Sequence, residues 1–314
     1  METDIRARSL SELLESFEKT KLTARGEKIR FADVDGRDVY NITAPFDVDE
    51  NRVIAARVEE RDSEFSKVMF FVNRGETWIP LKGAPVFDLQ DPFITRIHGE
   101  IVFGGVDVYP NENAPHQLCW RTFFFRGKSI YDLKYFAKGP EGMKDIRLVE
   151  LADKRIGIFT RPQGKIGGRG KIGFTIIDNL DELNAEVIEK APLIENQFID
   201  EEWGGVNEVH LLKNGKIGVL GHIARFDAEG NRHYYPMVFM FDPVTKKASP
   251  IRIIAARKNF DEGEFKRTDL INVVFSGGLI RRNDGYAELY VGVSDAEAHK
   301  IVIPDPFLQY EKLE

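Results

Sequence analysis

The chain has 314 residues, 42% of them hydrophobic, and a formal net charge of −7. That balance excludes a general nucleic-acid or membrane-surface binder, which needs a strong positive field. A single cysteine, Cys119, excludes an internal disulfide framework and a multi-cysteine zinc site, and it reads as a small buried hydrophobe.

No apolar run reaches the length of a membrane span, and the charged stretch from Met1 to Arg8 lacks the apolar core of a signal peptide. The expectation is a cytoplasmic protein. The six histidines are scattered and no His/Asp/Glu spacing repeats, so no metal and no cofactor are expected.

Ser9 to Lys19 predicts a short amphipathic helix. Ser9 is the N-cap, Glu12 stands at capping-box spacing, and Leu10, Leu13, Leu14 and Phe17 share one face. Beyond Gly26 the apolar period becomes two. Only Leu180 to Glu189 gives a weak sign of another helical turn.

Five segments then repeat one shape: a charged or turn residue, a short apolar strand, and a small or polar tail. They begin at Arg52, Glu100, Arg155, Lys216 and Glu288. Four follow a turn signal: Asp49-Glu50, His98-Gly99, Asn214-Gly215 and Asp284-Gly285. Each is preceded and followed by another strand pattern. Five such units predict an all-β, five-bladed β-propeller with a short N-terminal helix. With no linker-like stretch, it reads as a single domain over residues 1–314, with 1–26 as a helical extension. A β-sandwich is the competing fold. In a propeller the strand tails converge on a funnel, and here they carry Arg57, Glu59, Asp107, Arg161, His222, Arg225 and Asp295.

The second unit holds the stretch from Asp88 to Val106. Its His98-Gly99 pair predicts a hairpin, and Asp91 precedes Pro92, which pushes Asp91 toward extended backbone at the hairpin mouth. A carboxylate there suits acid–base work; capping a turn is the plainer role.

Between Arg161 and Lys171 four glycines alternate with Arg161, Lys165, Arg169 and Lys171. Such a loop approaches an anion closely and neutralises it, or is simply solvated. It matches neither a Walker loop nor a dinucleotide fingerprint. His222 is either a satisfied core histidine or a ligand contact, and Tyr234-Tyr235 either strand aromatics or sugar contacts. One acid beside a cationic pocket fits glycosyl transfer to phosphate, since an anionic nucleophile needs no general base, whereas an ordinary inverting hydrolase needs a second carboxylate.

These motifs resemble the five-bladed β-propeller family of β-mannoside phosphorylases, and more closely its relatives, the β-1,2-mannan mannosyltransferase–phosphorylases. The resemblance runs from about Tyr40 to Pro306. The family's Glu-Asp-Pro-Arg is similar to Gln90-Asp91-Pro92-Phe93, its Asn-Pro-Ala to Asn41-Ile42-Thr43-Ala44, and its Lys-Asp to Lys144-Asp145. Its His-Arg-Pro is similar to Thr160-Arg161-Pro162, its Tyr-His-Gly to Leu220-Gly221-His222, and its Asn-Val-Val-Phe-Pro to Asn272 through Ser276. Its Tyr-Gly-Ala-Ala-Asp is similar to the stretch ending in Asp295. Phe93, Thr160 and Ser276 are among the departures from the pattern.

The resemblance implies Asp91 as general acid, its proton relayed through a hydroxyl of the bound mannose. It implies inverting β-mannosyl transfer on β-1,2-linked mannooligosaccharide, with inorganic phosphate or GDP-mannose as partner substrate. Together with the residue reading, it makes Asn41, Arg57, Asp145, His222, Tyr235 and Asp295 substrate contacts, and Lys144, Arg161, Lys165 and Arg169 phosphate contacts. A homo-oligomer through the rims is allowed for. Two rivals stand beside this: an inverting hydrolase using Glu202 or Glu208 as base, and a non-catalytic glycan-binding propeller.

Overall fold

The structure, a computed structural model, describes residues 6–312. The N-terminal helix spans Leu10–Lys19, with the Ser9–Glu12 capping box closed in both directions. The Ser9 amide donates to Glu12 Oε2 at 2.8 Å, and Ser9 Oγ accepts from the Glu12 amide at 3.3 Å. The apolar face is buried through Leu10, Leu13 and Phe17, which join a core with Phe159, Phe174, Ile223 and Phe239.

After the helix the regular structure is mainly strand, as the period of two requires. The first antiparallel unit holds Asp38–Tyr40 and Phe46–Val48 on Asn51–Glu59, then Ser66–Arg74 and Thr77–Pro80. The second holds Gln90–Ile97, Glu100–Asn111, Ala114–Gly127 and Lys134–Lys138. The third holds Arg147–Glu150, Ile156–Thr160 and Gly173–Ile177. The fourth holds Trp203–Leu211, Ile217–Phe226, Arg232–Phe241 and Arg252–Ile253. The fifth holds Asn272–Arg281, Tyr286–Val293 and Glu297–Pro304. A two-residue parallel pairing, His233 with Asn272 and Tyr234 with Val273, merges the last two units into one sheet.

The leading strands neighbour one another in sequence order. Gln90–Ile97 packs against Asn51–Glu59 and Arg147–Glu150, and Trp203–Leu211 packs against Arg147–Glu150 and Asn272–Arg281. The chain closes on itself. Glu27–Lys28 precedes the first unit yet pairs with Glu297–Pro304 of the last, Glu27 opposite Lys300 and Lys28 opposite His299. Lys28 Nζ reinforces this at 2.5 Å from Glu297 Oε1. Close approach of first and last units needs a glycine at 292, where a Cβ would fall 2.0 Å from Asn41 Oδ1.

One local expectation holds and another changes. Leu180 to Glu189 is a 3₁₀ turn, Leu180–Glu182, followed by a one-turn helix, Ala185–Glu189. Cys119 is half-buried rather than core, because it lies in the part of Ala114–Gly127 that pairs with Glu100–Asn111 on one side only, beyond the reach of Lys134–Lys138.

Candidate active site

Four polar residues share an uncommon backbone. Asn41, Asp91, Asp145 and Asp295 have φ of +45°, +46°, +59° and +50°. Asn41 directly follows the strand Asp38–Tyr40, and Asp145 shortly precedes Arg147–Glu150. Asp295 sits in the turn between Tyr286–Val293 and Glu297–Pro304. All four line one cavity of about 210 Å³. Left-handed backbone costs a non-glycine residue roughly 1–2 kcal/mol. Its repetition around one hollow marks a place where function holds the chain.

Asp91 is not extended, as its position before Pro92 predicts. It sits at a bulge in Gln90–Ile97, where the register with the next strand shifts between Gln90 and Phe93. A bulge re-aims the side chain it carries. Two donors fix the carboxylate inside: Asn41 Nδ2 and Arg57 Nη1 donate to Asp91 Oδ1 at 2.8 and 3.1 Å. Burial opposes the charge, but the positive fields of Arg57 and Lys144, with these hydrogen bonds, outweigh it and hold the carboxyl down to about 2. Arg57 is itself held by Glu59 at 2.5 Å.

Asp145 is buried, and neither of its carboxylate oxygens has a hydrogen-bond partner. Arg161 Nε lies 3.4 Å from Oδ2 while donating to the Gly204 carbonyl at 2.7 Å. Burial works against this charge too, and the Arg161 guanidinium, with Lys144 and Arg147 further off, still holds it below the ordinary carboxylate range. The pair fits only beside a glycine: at Gly205 a Cβ would lie 2.8 Å from Asp145 Oδ2.

His222 is also buried, stacked on Tyr234 with ring centroids 5.2 Å apart. Burial, helped by Arg161 and Lys144 and opposed by Asp145, pushes its imidazole down to about 3, so it is neutral. Nδ1 lies 2.9 Å from Asn207 Oδ1. That partner assigns the proton to Nδ1 and leaves Nε2 an acceptor, 4.0 Å from Asp145 Oδ2. Asp295 moves the other way: burial and the Asp91 charge raise it, against the pull of Arg57. The hollow therefore combines acceptors without donors around Asp145 and His222 with two carboxyls, Asp91 and Asp295, pushed apart in acidity.

Lys144 and Arg161 line this inner cavity and an outer one of about 470 Å³, which opens from it past Gln90 and Tyr234. Arg169 lines only the outer cavity, its guanidinium 5.8 and 5.2 Å from the ring centres of Trp203 and Phe226. Lys165 borders neither, because it stands on the short exposed helix Gly164–Gly167. Tyr235 also turns away: it alternates with Tyr234 along Arg232–Phe241 and packs on the core. Glu202 and Glu208 are engaged elsewhere. Glu202 Oε1 accepts from the Leu10 amide at 2.6 Å, and Glu208 Oε2 accepts from the Leu279 amide at 2.6 Å and meets His210 at 3.0 Å. Glu64, Arg232 and Arg267 line the inner cavity without having been read from the sequence. Arg232 had a signal, since it shares the strand face of Tyr234. The loop residues Glu64 and Arg267 had none.

Among the described residues, no helix is long and apolar enough to cross a membrane, and no His/Cys/Asp/Glu group is arranged to hold a metal.

Comparison with known proteins places this chain among glycoside phosphorylases and glycosyltransferases. The chain is 35% identical to MPT-4, a mannose phosphorylase from Leishmania mexicana solved with a phosphate ion; the match covers 97% of this chain and 96% of that one, with a TM-score of 0.89. It is 34% identical to MPT-1, a GDP-Man-dependent mannosyltransferase from the same organism, over 98% and 97% of the two chains, with a TM-score of 0.88. A β-1,2-mannobiose phosphorylase from Listeria innocua shares the fold at 12% identity and a TM-score of 0.64, over 92% of this chain and 99% of that one. A curated 4-O-β-D-mannosyl-D-glucose phosphorylase from Bacteroides fragilis is 30% identical over 168 residues, 48% of this chain and 39% of that protein. The chain thus spans about two fifths of that relative's length. Residues 15–309 match the family described as protein of unknown function DUF1861, and the chain belongs to that family.

Proposed function

We propose that this protein is a single-domain, five-bladed β-propeller that carries out inverting β-mannosyl transfer at the inner cavity. Its reaction is the phosphorolysis and synthesis of β-1,2-linked mannooligosaccharides, with mannose 1-phosphate or GDP-mannose as the activated sugar. The observation that carries this reading is Asp91: a buried carboxylate clamped by Asn41 and Arg57 in a cavity that also presents Lys144 and Arg161. The likeness to a mannose phosphorylase over nearly the whole chain supports it.

The acidity of Asp91 gives the steps an order. Held at about 2, it is ionised in the free protein and begins as a base. In synthesis the acceptor hydroxyl passes its proton toward Asp91 through a mannose hydroxyl. Its oxygen attacks the anomeric carbon, and phosphate leaves with the bonding pair toward the cations. In phosphorolysis the phosphate anion attacks that carbon, and the departing glycosidic oxygen takes the proton from Asp91. Binding of phosphate beside Lys144 and Arg161 offsets part of the positive field that depresses Asp91, so the acid form becomes available when it is needed. Asp145 and neutral His222, acceptors without donors, suit sugar hydroxyls. Asn41 and Asp295 complete the sugar site, and Lys144 with Arg161 holds the anion.

The test is cleavage of β-1,2-mannobiose with and without inorganic phosphate. Mannose 1-phosphate formed only in the presence of phosphate supports the reading. Cleavage unchanged by omitting phosphate overturns it in favour of a hydrolase.

A further inference from the structure

We propose that a third cavity, bounded by Glu141, Gln163, Ile166 and Glu189 and reached over Trp120, binds the distal sugars of a neutral oligomannoside chain. This rests on the function proposed above. The inner cavity, at about 210 Å³, is smaller than the ~300–1,000 Å³ of sites that enclose drug-sized ligands, so the remainder of a chain must lie outside it. The third cavity measures about 600 Å³, and Trp120 and Gln163 line both it and the outer cavity. The three hollows therefore form one path.

The wall between them is built. The Trp120 carbonyl accepts from the Gly142 amide at 2.7 Å, and the Thr122 carbonyl from the Gly139 amide at 2.8 Å, which ties the turn carrying Glu141 to the tryptophan strand. Glu141 is fixed in turn by Arg121 at 3.2 Å and by the Tyr109 hydroxyl. The Trp120 indole N–H is buried and has no partner. Beyond it, Ile166 leaves a large apolar side chain 63% exposed on the glycine-rich loop. An indole and an aliphatic side chain offer surfaces for the C–H faces of sugar rings, and the amide of Gln163 and the two glutamates offer partners for hydroxyls.

Charge selects the occupant. The residues lining the third cavity include two carboxylates, Glu189 and the Arg121-paired Glu141, and no lysine or arginine, whereas the opposite side of the outer cavity holds Arg169 and Arg232. A phosphorylated chain or a nucleoside diphosphate is drawn to the cationic side. An uncharged polyol is the ligand this side accepts.

The experiment compares phosphorolysis of β-1,2-mannobiose and β-1,2-mannotetraose by wild type, Trp120→Ala and the exposed, fold-neutral Ile166→Ala. Wild type is expected to show a lower KM for the tetraose. Trp120→Ala should raise the tetraose KM by about tenfold, with Ile166→Ala raising it less, and kcat on mannobiose should stay within about twofold. Equal KM values for both substrates in wild type, or equal losses on both in the variants, overturn the proposal. If neither sugar is turned over, the function proposed above fails on its own, and calorimetric binding of the two sugars decides this one: tighter tetraose binding that Ile166→Ala weakens supports it, and equal affinities overturn it.

Discussion

Left-handed residues occupy two kinds of place in this molecule, and their contrast explains the site. At the outer hairpin ends His98-Gly99, Asn214-Gly215 and Asp284-Gly285 make tight turns, with Gly99, Gly215 and Gly285 at φ of +81°, +77° and +87°. Their leading residues are exposed, and a Cβ added at Gly99 or Gly215 would meet nothing within 4 Å. At the inner cavity the same backbone is imposed on Asn41, Asp91 and Asp145, all buried, where glycine would cost less. At the outer ends the conformation only turns the chain. At the inner end it points a polar side chain into a hollow, and part of what it carries, such as both oxygens of Asp145, has no hydrogen-bond partner.

Substitutions at the two places should therefore part company. The largest effect is expected from Asp91→Asn, which keeps the shape and removes the proton carrier. Turnover should fall by about 10³-fold, the middle of the range of general acid–base contributions. Asn41→Ala should lower synthesis by about tenfold. It removes a hydrogen bond that depresses Asp91, so Asp91 titrates at higher pH and the acid limb of the pH–rate profile moves upward.

Stability against pH sharpens the same contrast. His222 titrates near 3 when folded and near 6.5 otherwise, so between these values the unfolded chain binds the extra proton and stability falls as pH is lowered from 6.5. Asp91, folded near 2 against an ordinary 3.8, adds a second loss below 3.8. Melting curves from pH 7 to 4 should show the first decline, and His222→Gln should flatten it. A glycine pair follows. Gly205→Ala forces a methyl against Asp145 and should cost about 1–3 kcal/mol together with activity. Gly215→Ala, at an outer turn, should cost about 1 kcal/mol and leave turnover unchanged. The smallest effect is expected from Lys165→Ala, which borders neither cavity, so kcat/KM should stay within about twofold of wild type.

The same division decides how much was legible in the sequence. The all-β class and the N-terminal helix were readable because period-two runs and a Ser9–Glu12 cap are local signals. Arg57, Arg161, His222 and Asp295 were legible as tails of repeated strands and Asp91 as the mouth of a hairpin, whereas Asn41, Lys144 and Asp145 were reached only through the family resemblance; all eight line one cavity. Lys165 was misplaced because a cation among glycines looks alike whether it faces an anion or solvent. Tyr235 was chosen over Tyr234 because adjacent strand residues face opposite ways and sequence does not say which face is inward. The backbone of Asp91 escaped notice because its proline neighbour argues for extension, and a bulge overrode it. Glu64 and Arg267 come from loops whose path no local pattern encodes.

The most direct test follows the phosphate and the sugar in one tube. Phosphorus and proton NMR of wild type with β-1,2-mannobiose and inorganic phosphate should show α-mannose 1-phosphate accumulating, the inverted anomer, and Asp91→Asn should form it about 10³-fold more slowly. A β-configured product, or the same product at an undiminished rate from Asp91→Asn, would contradict the account.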